Sequence, residues 1–196
     1  MKSIFSLFLI LSSIIAIVVL SSCAVPLPSY STVNFEWKGN MENLQRDNDI
    51  FAKKLQKMIK MRYPDTSDVL VLSEKFHVLL VGQAKTLEIK NKIYEMVKSF
   101  PNIVEVHNFI NISDKPNFIK NYSINRKVKR RIESEENLSQ ENIRSVTIDS
   151  VVYLLGTIYP YEKDNMISLM NGIYSIYGVK KVVDVTVIED LSKLSN

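Results

Sequence analysis

The sequence predicts an α+β protein built from two tandem copies of one α-β-β-α-β unit. Two observations support this prediction. The same order of amphipathic and β-rich segments occurs twice, and in each copy the densest β-branched run contains a glycine near its end, Gly82 or Gly156. Each copy is expected to form a small three-stranded mixed sheet with two helices on one face. The two glycines are expected to serve backbone geometry at a strand end.

The first copy is predicted to begin with a basic amphipathic helix. Apolar residues between positions 44 and 59 share one face, and lysines lie on the other (Lys53, Lys57 and Lys60). Pro64 ends this helix, because the residue before a proline resists the α region. Two β-rich runs, 69–72 and 76–81, are separated by Ser73-Glu74-Lys75 and indicate a hairpin.

Both copies then continue in the same order. In the first copy, a helix with its apolar stripe between positions 89 and 97 precedes a strand that begins at 103–106. The second copy repeats these elements, with strands at 145–148 and 151–158, a helix stripe at 166–173 and a last strand at 182–188. The predicted domain limits are 39–112 and 119–190, with a polar, turn-rich linker at 113–118.

The amino terminus is typical of an exported protein. Lys2 precedes an apolar run, Ile4 to Leu20, which is at the lower limit of the length that spans a bilayer. Leu20-Ser21-Ser22-Cys23 resembles the bacterial lipoprotein box, which implies that residues 1–22 are a signal peptide and that Cys23 receives diacylglycerol and palmitate. A plain secretory signal and a permanent membrane anchor are the alternatives.

The residues around this cysteine predict where the protein resides. Ala24 follows Cys23, in place of the aspartate that resembles an inner-membrane retention signal, and this favours the outer membrane, facing the periplasm. Residues 23–38 are predicted to be a lipidated tether with an accessory segment, and residues 191–196 a tail.

The segment 120–132 holds six basic residues and no acid. On a helix, Ile124, Val128 and Ile132 form a narrow apolar stripe, with Tyr122 and several cations roughly opposite. The helix is therefore expected to dock by its apolar stripe and to present an aromatic ring among cations, a surface that suits anionic headgroups. An ordinary solvated helix face is the alternative from composition alone.

Composition excludes several classes of function. The net charge of +4 gives no global nucleic-acid footprint, and the single cysteine allows no internal disulfide. His77 and His107 have no cysteine, histidine or carboxylate partner at ligand spacing, so no metal site is predicted. The sequence also lacks a nucleophile elbow, a phosphate-binding loop and paired catalytic carboxylates. We therefore expect neither an enzyme nor a cofactor.

Two short segments in each copy resemble the BON domain. They are Val78 to Gly82 with Ile103 to Val106, and Val151 to Thr157 with Gly178 to Val182. A lipoprotein box followed by two such domains resembles the division- and stress-associated outer-membrane lipid-binding lipoproteins. That resemblance implies binding of anionic phospholipid and support of envelope integrity.

The same resemblance implies which residues contact the membrane. In that family, the first helix of the second domain carries the contact and inserts an aromatic ring. The aromatic position falls at Ser123 in this sequence, with Tyr122 beside it. The implied phospholipid-binding residues are Tyr122, Ser123, Arg126, Lys127, Lys129 and Arg130.

Two functions of different classes follow from the sequence. The first is a lipid-anchored periplasmic protein that binds phosphatidylglycerol or cardiolipin and supports outer-membrane integrity. The second is a non-catalytic adaptor that binds envelope proteins during envelope assembly or cell-wall remodelling, through exposed strands or the groove between the repeats. Nucleic-acid binding through the basic helix conflicts with export.

Overall fold

The structure, a computed structural model, describes residues 41–189. The predicted signal peptide, the lipidation site Cys23, the tether up to residue 38 and the tail from residue 191 lie outside the described residues. Within residues 41–189, no helix is both long enough and apolar enough to cross a membrane.

The first repeat contains two helices and a three-stranded sheet. In chain order its elements are α1 (Met41–Arg62), β1 (Ser67–Glu74), β2 (His77–Ala84), α2 (Leu87–Lys98) and β3 (Glu105–Ile112). The strand order is β1-β2-β3, with β2 antiparallel to β1 and parallel to β3. The helix α2 makes the crossover that a parallel strand pair requires.

The second repeat has the same topology. Its elements are α3 (Tyr122–Glu133), β4 (Ile143–Ile148), β5 (Val151–Ile158), α4 (Lys163–Tyr174) and β6 (Lys181–Ile188), with short 3-10 turns at Gln140–Asn142 and Pro160–Glu162. The strand order is β4-β5-β6, again antiparallel and then parallel. The predicted fold class, two tandem units each with a mixed sheet and two helices, is confirmed.

Each hairpin closes through two residues with positive φ, Lys75 and Phe76 in the first repeat and Asp149 and Ser150 in the second. Two-residue loops of this kind match the right-handed twist of the strands. The limits predicted for the first tip, Ser73-Glu74-Lys75, were wrong. Ser73 and Glu74 are paired with Val78 and His77 in the ladder, and both are buried.

The helices of each repeat cover one face of its own sheet. In the first repeat, Leu55 and Ile59 of α1 and Ile93 of α2 pack on β-strand side chains that include Val78 and Leu80. In the second repeat, the buried side chains of α3 and α4 pack on alternate residues of β5, Val152 and Leu154, in the same way. Each repeat therefore has its own core, as the alternation of strand side chains requires.

The opposite faces of the two sheets pack against each other. Leu79 and Val81 of β2 form a buried cluster with Tyr153 and Leu155 of β5. Phe118, between the repeats, joins this cluster. Each sheet therefore has its helices on the outer face. Apolar side chains fill much of the interface between the two sheets.

Charged side chains also connect the repeats. Arg144 of β4 lies 3.2 Å from Glu74 Oε2 and 3.3 Å from Asp49 Oδ1 of the first repeat. Lys75 Nζ lies 2.6 Å from Glu189 Oε2. Burial raises the pKa of Glu74 above its usual value of 4.5, although the charge and hydrogen bond of Arg144 act in the opposite direction. The effect of desolvation on the pKa of this carboxylate thus outweighs the opposing effect of its ion pair with Arg144.

Candidate functional site

Helix α3 is held at its start by the β4–β5 hairpin. The backbone N–H of Asn121 donates to Thr147 O at 3.1 Å, and the Asn121 side-chain Oδ1 accepts from the N–H of Ser150 at 2.8 Å. Lys120 forms an isolated antiparallel bridge with Ile148. Lys120 was predicted to lie within the helix, and this was wrong because its backbone pairs with a strand.

The inner face of α3 is the predicted apolar stripe. Ile124, Val128 and Ile132 are all buried in the core of the second repeat. Gly178, with φ +96°, lies against Ile124, and a Cβ at this glycine would come within 3.1 Å of Ile124 Cδ1. The prediction that α3 docks by this stripe is confirmed.

The outer face of α3 presents the six residues that the sequence analysis had assigned to phospholipid. Tyr122 is 71% exposed, and the other five side chains are also exposed (Ser123, Arg126, Lys127, Lys129 and Arg130). We call these six residues the α3 patch. The helical turn thus brings the ring and the cations onto one solvent-facing surface.

Most cations of the α3 patch are electrostatically uncompensated. Within the part of the chain that the structure describes, Arg126, Lys127 and Arg130 have no carboxylate within ion-pair distance. Lys129 lies 3.8 Å from Glu133, a weak exposed pair. The α3 patch therefore carries a local positive potential that an anionic ligand can neutralise.

Arg131 belongs to the helix but not to the α3 patch. Its Nη2 lies 3.0 Å from Glu135 Oε2, and its guanidinium lies over Gly172 of α4, where a Cβ would overlap Nε. Arg131 thus serves to pack α3 against α4. Residue composition alone did not separate it from the other cations.

Two exposed apolar side chains that the sequence analysis missed lie near the start of α3. Ile119 is 68% exposed and precedes the helix by three positions, and its N–H donates to Asp149 Oδ1 at 3.0 Å. Tyr177 is 93% exposed and adjoins Gly178, the glycine that contacts Ile124. The only sequence signal was the Tyr177-Gly178 turn, which indicates a surface loop but not its neighbours.

The fold and this surface define a class: a two-repeat α+β protein with an outward basic helix in its second repeat. The model of the BON domain matches residues 46–114 and 122–190, and the chain belongs to that family. BON domains bind phospholipids, occur in envelope-associated proteins and are generally non-catalytic.

Two solved structures are similar at low identity. One is of CdsD, a structural protein of the type III secretion system of Chlamydia trachomatis, at 12% identity and a TM-score of 0.30, covering 72% of this chain and 92% of that chain. The other is the C-terminal domain of CdsD, at 11% identity and a TM-score of 0.30, covering 70% and 96%. No curated protein matches this chain in sequence.

Proposed function

We propose that the protein binds anionic phospholipid through the α3 patch and, as a lipid-anchored protein of the outer membrane facing the periplasm, supports envelope integrity. In this proposal it resembles the division- and stress-associated lipoproteins, with its acyl chains on Cys23. The observation that carries the proposal is the exposure of Tyr122 beside three cations, Arg126, Lys127 and Arg130, that have no carboxylate within ion-pair distance among residues 41–189.

The charges account for selectivity toward anionic lipid. Each basic residue near an anionic surface contributes about 1 kcal/mol, so Arg126, Lys127 and Arg130 together contribute about 3 kcal/mol. Such binding weakens as salt screens the charges. An anchor at Cys23 would hold the α3 patch close to lipid, so modest affinity suffices.

The apolar side chains account for contact below the headgroups. A tyrosine places an apolar ring and a polar hydroxyl at the interface, which is where such rings are enriched in membrane proteins. Ile119 and Tyr177, near the same end of α3, would add apolar area. Because these side chains are exposed, their insertion requires no unfolding of the repeat.

Helix α1 provides an internal control for this proposal. Its lysines Lys53, Lys57 and Lys60 are exposed, but its aromatic residue Phe51 is turned inward, with its ring 6.2 Å from that of Phe76 and 6.3 Å from that of Phe100. The two helices thus carry similar charge, but only α3 has an exposed aromatic ring beside its cations.

Vesicle flotation tests the proposal with a chain that begins at Ala24 and lacks the acyl chains. We expect binding to vesicles with phosphatidylglycerol or cardiolipin, and little to phosphatidylcholine alone. The triple variant R126E/K127E/R130E should bind roughly 100-fold more weakly or worse, since it loses about 3 kcal/mol and adds repulsion.

The matched control is K53E/K57E/K60E in α1, which changes the net charge by the same amount. We expect this control to lose no more than about threefold in affinity, since only long-range attraction is weakened. Equal binding to neutral and anionic vesicles, or equal losses in the two triple variants, would overturn the proposal.

The adaptor function is the second candidate, and the sheet edges favour it. Among the described residues, β3 and β6 each pair with one neighbouring strand only, and the apolar residues at their ends, Ile112 and Ile188, are 51% and 44% exposed. A partner could add a strand at such an edge. Crosslinking to an envelope protein that persists at high salt and in R126E/K127E/R130E would favour this function.

A further inference from the structure

The two histidines of the chain lie together with one carboxylate at the start of the β2–β3 pair. The parallel register pairs His77 with Glu105 and Leu79 with His107. Since side chains alternate along a strand, Glu105 and His107 share a face with their paired neighbour His77. The cluster His77-Glu105-His107 therefore results from strand register.

The donor atoms of this cluster are close but not hydrogen-bonded. His77 Nδ1 lies 3.8 Å and His107 Nε2 lies 3.6 Å from Glu105 Oε2, which exceeds hydrogen-bond length. One ligand atom from each residue lies within 4.8 Å of the other two, and the imidazole rings are 17° from parallel. Two ligands of a tetrahedral zinc ion are about 3.4 Å apart, so small side-chain rotations would bring these atoms to ligand distances.

Both histidine nitrogens that face the carboxylate are buried. Neither His77 Nδ1 nor His107 Nε2 has a hydrogen-bond partner among the described residues. A buried nitrogen without a hydrogen-bond partner is destabilising unless another ligand satisfies it. A cation placed between the three donors would satisfy both nitrogens and the carboxylate at once.

We propose that His77, Glu105 and His107 bind a divalent zinc ion through two imidazole nitrogens and one carboxylate oxygen. Two imidazoles favour zinc over magnesium or calcium, which prefer oxygen ligands. The fourth position of the tetrahedron is left to water or another ligand. This site is separate from the α3 patch, and its function is to fasten β3 to β2 at the rim of the sheet.

No metal site was predicted at these histidines from the sequence, whereas in the structure Glu105 lies 3.8 Å from His77 Nδ1 and 3.6 Å from His107 Nε2. Ligand spacing describes residues that are close along one helix or loop, whereas these three residues meet across two strands that α2 separates in the chain. A usable signal existed in the predicted mixed sheet, because a mixed sheet contains one parallel strand pair. His77 begins β2, and Glu105 and His107 lie at the start of β3, which runs parallel to β2.

The test uses the untagged full chain in detergent, titrated with zinc against a chromophoric chelator. We expect one zinc ion per chain with micromolar or tighter affinity, and a visible absorption band of tetrahedral type when cobalt(II) replaces zinc. Glu105→Gln should weaken zinc binding at least roughly tenfold, and H77Q/H107Q should abolish it. Magnesium and calcium should not compete.

Glu95→Gln, at an exposed glutamate of α2, is the matched control and should bind zinc as the unaltered chain does. Circular dichroism verifies that each variant is folded. The Glu105 side chain is 55% exposed, so its substitution tests the site without removing core contacts. Binding weaker than about 100 µM in the unaltered chain, or affinity within threefold of it in E105Q or H77Q/H107Q, would overturn the proposal.

Discussion

The two repeats share one backbone plan but place their chemistry on different elements. In the first repeat, the parallel strand pair begins with His77, Glu105 and His107, whereas Val151, Lys181 and Val183 hold the corresponding register positions of the second repeat. The second repeat instead exposes a ring and cations on its first helix. Each copy thus has features that the other lacks, on a sheet of the same order.

The shared features are those that the backbone requires. Both hairpins use two residues with positive φ, and both central strands contain a glycine where the neighbouring strand approaches closely. A Cβ at Gly82 would overlap the carbonyl oxygen of Asp68, and a Cβ at Gly156 would overlap that of Asn142. The backbone plan thus restricts a few positions and leaves the surface free to diverge.

The largest expected effect comes from these glycines. Gly82→Ala should lower the free energy of unfolding by about 3–5 kcal/mol, since it combines a clash with strain at φ +139°. Gly156→Ala meets the clash without a left-handed φ and should cost about 1–3 kcal/mol. Urea unfolding followed by circular dichroism measures both, and equal costs would show that the two glycines have the same role.

A smaller effect is expected from the cluster that joins the sheets. Leu79→Ala removes a fully buried side chain of that cluster and should cost about 2–4 kcal/mol. Because the cluster spans both repeats, unfolding should keep a single transition. Leu80→Ala, in the core of the first repeat alone, is the matched control. Two separate transitions in either variant would show that the repeats unfold independently.

The smallest effect is the pH dependence of the stability that Glu74 contributes. Glu74 ends β1 at the position that Ile148 occupies at the end of β4. Its raised pKa means that the folded chain binds this proton more readily than the unfolded chain. Glu74 therefore contributes stability that is fully present below pH 4.5 and is lost as the pH rises through the folded pKa. The stability of the unaltered chain relative to Glu74→Gln should thus increase as the pH falls from 7 toward 4.5.

Chemical unfolding at several pH values measures this difference. Glu95→Gln, which alters an exposed glutamate, should show no such change relative to the unaltered chain. A difference that shrinks on acidification would mean that the ion pair with Arg144 outweighs desolvation.

Periodicity was sufficient to predict the elements of each repeat. The spacing of Ile124, Val128 and Ile132 identified the buried face of α3 and placed Tyr122 and several cations opposite it, whereas Ser123 was assigned from the family resemblance alone. Periodicity did not show what covers the second face of each sheet. The apolar run from Val78 to Val81 was a signal, since a strand that is apolar on both faces is buried on both. The packing of Arg131 on Gly172 and the histidine cluster were missed because both depend on contacts between segments that are far apart in the sequence.

The hydrogen bonds of Asn121 have a mechanical consequence for any encounter with a bilayer. They join Asn121, the residue immediately before α3, to the β4–β5 hairpin, so a force applied at Tyr122 passes directly into the second sheet. A lipid surface that engages this helix would therefore set the tilt of both sheets above it, and would not simply pull a loosely attached helix away.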